Sequence, residues 1–152
     1  MSSVRAWLNH YALVLLAMVG SFSFHGALLW SGSYRNTYDA YVHIFFADHY
    51  ARGWFELWEP RWYTGFTMAS YPPLTHQLTA LISLLSTLPT GYITVMLFSA
   101  VFTTLGVYRF SRLWVAHRPA SYAALLVVFS TSVAEVAHVL GSCPRSLCWA
   151  LC

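Results

Sequence analysis

Asp39 and His43 stand one helical turn apart in the aromatic run 38–50, a spacing that places a carboxylate and an imidazole on one face of a helix, extended by Phe46 and Tyr50. Such a pair could bind a divalent cation, magnesium or manganese, through Asp39, or hold a phosphate-linked substrate. The alternative is an interfacial helix whose polar side carries Asp and His for solubility. Four of the chain's five acidic residues, Asp39, Asp48, Glu56 and Glu59, fall within residues 31–73, so chemistry is sought in that segment. Downstream, Trp54, Trp58 and Trp62 have helical spacing, but Pro60 interrupts them and predicts an irregular loop. Trp and Tyr gather at membrane interfaces because their rings are apolar and their N–H or O–H tips are polar. They could equally stack on a sugar or a prenyl chain. Glu56 and Glu59 are expected to be solvated and to pair with Arg52 and Arg61.

The elements that must position these groups are apolar. Hydrophobic residues make up 58% of the 152-residue chain and charged residues 9%, a balance that excludes an ordinary soluble domain and predicts an all-α integral membrane protein. Every basic residue is Arg and none is Lys. No basic run suggests a nucleic-acid partner, and the arginines serve better to orient spans. Residues 11–30 carry no formal charge and are long enough to cross a hydrocarbon core of roughly 30 Å. Arg5 before them marks the cytoplasmic side; a cleaved signal peptide is the competing reading. Residues 90–107 make a second span, and 120–140 a third. Between the loop and the second span, residues 74–88 are short of the roughly 17–25 a span needs and read as a short or interfacial helix. The cluster Leu88-Pro89-Thr90-Gly91 reads as the turn after it. Arg109, Arg112 and Arg118 follow the second span closely and keep that end cytoplasmic, where they meet anionic headgroups. The expectation is about three transmembrane helices in the inner (plasma) membrane, with the N-terminus cytoplasmic and residues 31–73 external. Four spans is the alternative. Nothing alternates like a transmembrane β-strand.

The order Asp39, His43, Arg52-Gly53-Trp54, Trp58-Glu59-Pro60-Arg61-Trp62-Tyr63-Thr64-Gly65 and Tyr71-Pro72-Pro73-Leu74 resembles the first external loop of GT-C type membrane glycosyltransferases. The nearest variant is the bacterial group called 6-pyruvoyl-tetrahydropterin synthase-related membrane proteins. The resemblance covers roughly residues 1–141. It implies a multi-helix membrane bundle that transfers a sugar from a polyprenyl-phosphate donor on the outer face. Asp39 would be the catalytic or metal-binding acid and His43 its neighbour. Trp54, Trp58, Arg61, Trp62 and Tyr71 would contact substrate. The adjacent prolines Pro72 and Pro73 would bring the chain back to the membrane in a stiff, extended form. Glu135 and His138, on one helical face with Thr131, would form a second catalytic cluster near the second external loop. An ionisable Glu135 in an apolar stretch points to function on its own account, because leaving it unpaired in lipid is costly. Its alternative is a partner on a neighbouring helix.

GT-C proteins have many more spans than this chain, so the resemblance is to an N-terminal part that would be inactive alone. Residues 142–152 hold all three cysteines, Cys143, Cys148 and Cys152, at no zinc-site spacing and in odd number for disulfides. They read as an atypical tail left by truncation or a frame-shift. His25 is expected to be hydrogen-bonded within the first span. The second functional reading is a small non-catalytic membrane protein that binds a partner through its aromatic loop.

Overall fold

The structure, a computed structural model, describes residues 2–37, 39–68, 71–135 and 138. Helix α1 spans Ser2–Trp30, and from His10 onward it contains neither proline nor formal charge. It stops at Gly32, whose left-handed φ of 91° suits the residue without a Cβ. The Gly32 N–H donates to the Leu29 carbonyl and the Ser31 hydroxyl to that of Leu28. A short 3-10 turn, Ser33–Asn36, leads to α2, Ala40–Arg52. Asp39 occupies the N-cap position of α2 without capping it; the Thr37 hydroxyl accepts the Ala40 N–H instead. That substitution leaves the Asp39 carboxylate uncommitted.

After α2 the chain forms a minimal hairpin, β1 Trp58–Glu59 and β2 Phe66–Thr67, antiparallel with Glu59 opposite Phe66. The expected break in helical structure at Pro60 is therefore present, as a β-turn region in place of an irregular loop. Helix α3 covers Pro73–Ser83 and begins at proline, which needs no N–H partner in a first turn. Helix α4 covers Leu88–Ser111, with the Thr87 hydroxyl accepting the Thr90 N–H as its cap. Pro89 and Gly91, expected to make a turn, thus lie in the first turn of α4, and the turn itself is residues 84–87.

Helix α5, His117–Val128, and the five-residue α6, Thr131–Glu135, replace the continuous helix expected over 120–140. At about 18 Å, α5 is too short to cross a membrane. The interruption falls at Phe129 and Ser130, whose N–H groups bond three residues back to Leu126 and Val127 and tighten the helix to an end. Ser130, Thr131 and Ser132 supply no propensity to carry it through.

Helices α1, α4 and α5 pack on one another, with α1 antiparallel to α4: Leu29 meets Tyr92, Ile93 and Leu97, while Val14 and Ala17 meet Tyr108. Small residues, Ala17, Ala120 and Ala124, allow the close approach of α1 to α5. A separate cluster of Phe46, Tyr50, Met68 and Ala80 joins α2, the hairpin and α3. The protein is mostly helical, and two helices, α1 and α4, are long and apolar enough to cross a membrane.

Helix α3 rests on α4 through Gly91, where a Cβ would come within 2.5 Å of the Thr79 carbonyl oxygen. Gly91→Ala is therefore expected to lower stability by about 1–3 kcal/mol. Gly106→Ala meets nothing within 4 Å and should be neutral or stabilising. Thermal unfolding of both variants in detergent, with equal midpoints, would exclude this contact as a packing constraint.

Candidate functional site

The polar segment folds around a carboxylate that water does not reach. Glu59 is fully buried. Its Oε1 accepts hydrogen bonds from the Arg61 backbone N–H and Nε, each at 2.8 Å, and its Oε2 accepts from Arg61 Nη2 at 2.6 Å. His49 Nδ1 lies 2.9 Å from the same Oε2, and its Nε2 faces the Glu56 carbonyl at 2.8 Å. Both ring nitrogens face acceptors, an arrangement that the doubly protonated ring satisfies. Arg61 also donates to Asp48 at 2.6 Å, Asp48 accepts from Arg52 at 2.6 Å, and the guanidinium lies over the Phe45 ring. Hydrogen bonds from Arg61 hold the Glu59 carboxyl at about 2, well below its ordinary range, against an opposing effect of burial.

Glu59 is thus the opposite of the solvated residue expected from sequence, and Arg61 and Trp62 are not free for substrate. The Arg61 fork is taken by Glu59 and Asp48, and the half-buried Trp62 packs on Phe45, Phe46 and Phe66. Trp54 and Trp58 remain exposed, with Trp58 folded over Gly65, where a Cβ would come within 2.4 Å of its ring.

Against this scaffold sits the pair His43 and His76, with Nδ1 of the first 2.9 Å from Nε2 of the second. Phe46, Tyr50 and Tyr71 surround the imidazoles, Tyr71 edge-on to both. His76 is buried, and its Nδ1 makes no hydrogen bond of good geometry. The Pro72 carbonyl one turn back still exerts a weak pull that raises its basicity. In the tautomer with His43 Nδ1 as donor, His76 Nε2 accepts and the His43 Nε2 lone pair has no described partner. Burial, then the neighbouring His43, push His76 down to about 3; burial lowers His43 as well, and the Asp39 charge opposes it. Asp39 is exposed, one turn before His43, with its backbone carbonyl accepting the His43 N–H. The structure thus brings the exposed Asp39 to within one helical turn of the His43–His76 pair and its aromatic surround.

The second cluster expected from sequence is not assembled. His138 Nε2 lies 2.8 Å from Nδ1 of the buried His25, and the rings stack, whereas Glu135 is exposed with no described partner. His25 is hydrogen-bonded, as its position in the first apolar stretch suggested. Cys143, Cys148 and Cys152 lie outside the described residues, as does the Arg5 side chain. Among the described residues no three His, Cys, Asp or Glu side chains gather to hold a metal. His76 is the residue that sequence reasoning passed over; for Glu59 the pairing with Arg61 was expected and the burial was not. The available signals were a histidine in the first turn after Pro72-Pro73 and an arginine placed two residues beyond a glutamate across a proline.

Compared with known proteins, the chain matches no family model, no curated protein and no solved structure.

Glu59→Gln should cost about 1–3 kcal/mol, because it removes the acceptor of three Arg61 hydrogen bonds and leaves that guanidinium only Asp48. An unchanged thermal midpoint would exclude that role. The histidine pair makes a separate prediction. A folded-state His76 near 3 against an ordinary 6.5 means that the unfolded chain binds more protons between those values. Its stabilising effect is complete above pH 6.5 and declines as pH falls toward 3. Glu59, low at about 2 against 4.5, contributes fully above pH 4.5, and its share is lost as pH falls through 2. The midpoint should therefore begin to fall below pH 6.5, and His76→Leu should flatten the limb between 6.5 and 4.5. A wild-type midpoint constant from pH 7 to 4.5 would rule out the neutral pair.

Proposed function

We propose that this chain is a membrane-embedded unit of the GT-C glycosyltransferase type, which handles a polyprenyl-phosphate-linked sugar at residues 31–73. The observation that carries the reading is the exposed, uncapped Asp39 carboxylate one turn from His43 and beside an aromatic wall. That combination suits a sugar, which stacks on aromatic rings and offers hydroxyls to acceptors. The two long apolar helices support a membrane setting. Outward-facing Leu16, Val19 and Phe22 of α1 and Phe98 and Phe102 of α4 are more than half exposed, a surface that lipid would cover. In this setting α1 and α4 are the spans, and the 31–73 segment with α3 lies at one membrane surface.

In the reaction, an acceptor hydroxyl attacks the anomeric carbon of the donor. The new C–O bond forms as the bond from that carbon to the phosphate oxygen breaks, and polyprenyl phosphate leaves with the electron pair. Asp39 takes the hydroxyl proton. His43 Nε2 accepts a hydrogen bond from a sugar hydroxyl and orients it. The described residues provide no fixed cation or guanidinium beside Asp39 for the departing phosphate, so this unit would bind donor and not turn it over alone.

The second reading is a non-catalytic membrane protein that docks a partner through its aromatic loop. It is favoured by Phe55, between α2 and the hairpin, and Tyr63, in the hairpin turn, which are 90% and 92% exposed. The test that separates the two uses the whole chain in detergent and a short-chain polyprenyl-phosphate hexose followed by tryptophan fluorescence. Saturable binding that weakens about tenfold or more in Asp39→Asn, with Phe55→Ser unaffected, supports donor handling. Absence of binding, or binding indifferent to Asp39, overturns it in favour of the docking reading.

A further inference from the structure

At the opposite end of α1 from Asp39, a cavity of about 440 Å³ opens between the start of α1, the end of α4 and the start of α5. Its lining includes His10, Tyr11, Arg109, Arg112 and His117. A second cavity of about 400 Å³ shares His10 and His117 and adds Arg118. The two imidazoles stack at 4.1 Å and nearly parallel. His117 Nε2 donates to the His10 carbonyl, and its Nδ1 lies 2.9 Å from the Tyr108 hydroxyl. Both ring nitrogens of His117 are thereby committed internally.

What remains unused is donors. Arg109 has no described hydrogen-bond or ion-pair partner. Arg112 spends one N–H on the Val115 carbonyl at 3.1 Å. Arg109 in the last turn of α4 and Arg112 at its C-cap stand three residues apart, a spacing at which like charges repel unless an anion lies between them. No described carboxylate pairs with them: Asp39, Asp48, Glu56 and Glu59 lie in the segment beyond the other end of α1, and Glu135 lies in α6.

We propose that this cavity is a binding site for a phosphate group. Two arginine forks with no competing carboxylate match a tetrahedral dianion, and Arg recognises such groups through paired hydrogen bonds. The volume leaves room for an ester substituent and water. Its level along the helices fits the same chemistry. His10 opens the apolar stretch of α1, Arg109 and Arg112 close that of α4, and the exposed Trp7 and Trp114 flank them as aromatic residues do at a bilayer boundary. The phosphate could belong to a lipid headgroup or be free in solution. This site is independent of sugar transfer and of Asp39.

The test uses the full chain in detergent and three probes: dioctanoyl phosphatidic acid, dioctanoyl phosphatidylcholine and inorganic pyrophosphate. Saturable binding of phosphatidic acid, with phosphatidylcholine bound at least tenfold more weakly, is expected. In Arg109→Gln/Arg112→Gln the phosphatidic acid affinity should fall roughly thirtyfold. The charge-matched Arg35→Gln/Arg52→Gln should leave it unchanged. Competition by millimolar pyrophosphate assigns the site to the phosphate group itself, and retention against it assigns the site to a lipid headgroup; both outcomes support the site. Equal losses in the two double variants, or no saturable binding by the wild type, overturn it. If the first double variant loses its helical circular dichroism, the wild-type selectivity between the two lipids decides alone.

Discussion

A carboxylate sealed from water must be neutralised where it stands, and Glu59 imposes that requirement on the whole segment between α1 and α3. Arg61 can reach both of its oxygens only because Pro60 turns the chain sharply between them. His49 can reach it only if the hairpin folds back on the last turns of α2. Asp48 and Arg52 then complete an alternating row of charges along the rim. Such a buried ion pair brings modest net stability, because the desolvation of both partners offsets much of their attraction. Its effect is to specify one arrangement, since any other leaves a charge without a partner. The aromatic residues of the loop follow from it: Trp62 is drawn under the hairpin, while Phe55 and Tyr63 are left outside.

Histidine plays a similar part across the rest of the molecule. Six of the seven histidines meet in pairs, and each pair joins segments far apart in sequence: His43 with His76, His25 with His138, His10 with His117. An imidazole is apolar enough to pack in a helix interface and still carries a donor and an acceptor. In two of the pairs, His43 with His76 and His25 with His138, the rings hydrogen-bond to one another within the helix packing. His49 is the exception, and its partner is the one buried carboxylate.

The two ends of the bundle consequently differ in chemistry. Around the segment 31–73, carboxylates outnumber free cations once the internal pairs are removed, and Asp39 is left facing outward. Around His10 and His117 the reverse holds, with arginines that no carboxylate answers. Helices α1 and α4 separate the two, and 24 residues of α4 span about 36 Å. The proton acceptor and the anion site that we propose would therefore stand at opposite ends of the bundle.

Much of the helical framework was legible in the chain itself. Length without charge is a local property, so the apolar stretches of α1 and α4 could be read from composition, and the brevity of α3 from the distance between its proline start and the next turn residues. The end of α5 was less legible, because residues 120–140 are apolar enough for a span and the interruption rests on three hydroxyl residues that a tertiary contact could have carried through. Spacing also placed Asp39 and His43 one turn apart, since helical periodicity needs only neighbours. Whether Glu59 would be solvated or sealed, and which histidine each histidine would meet, depended on partners up to 113 residues away. No local pattern encodes such distances. Sequence alone determined the apolar helices and the segregation of acid from base along the chain. Tertiary structure decided which charges cancel and which remain exposed, because pairing is a matter of proximity in space and burial sets its strength.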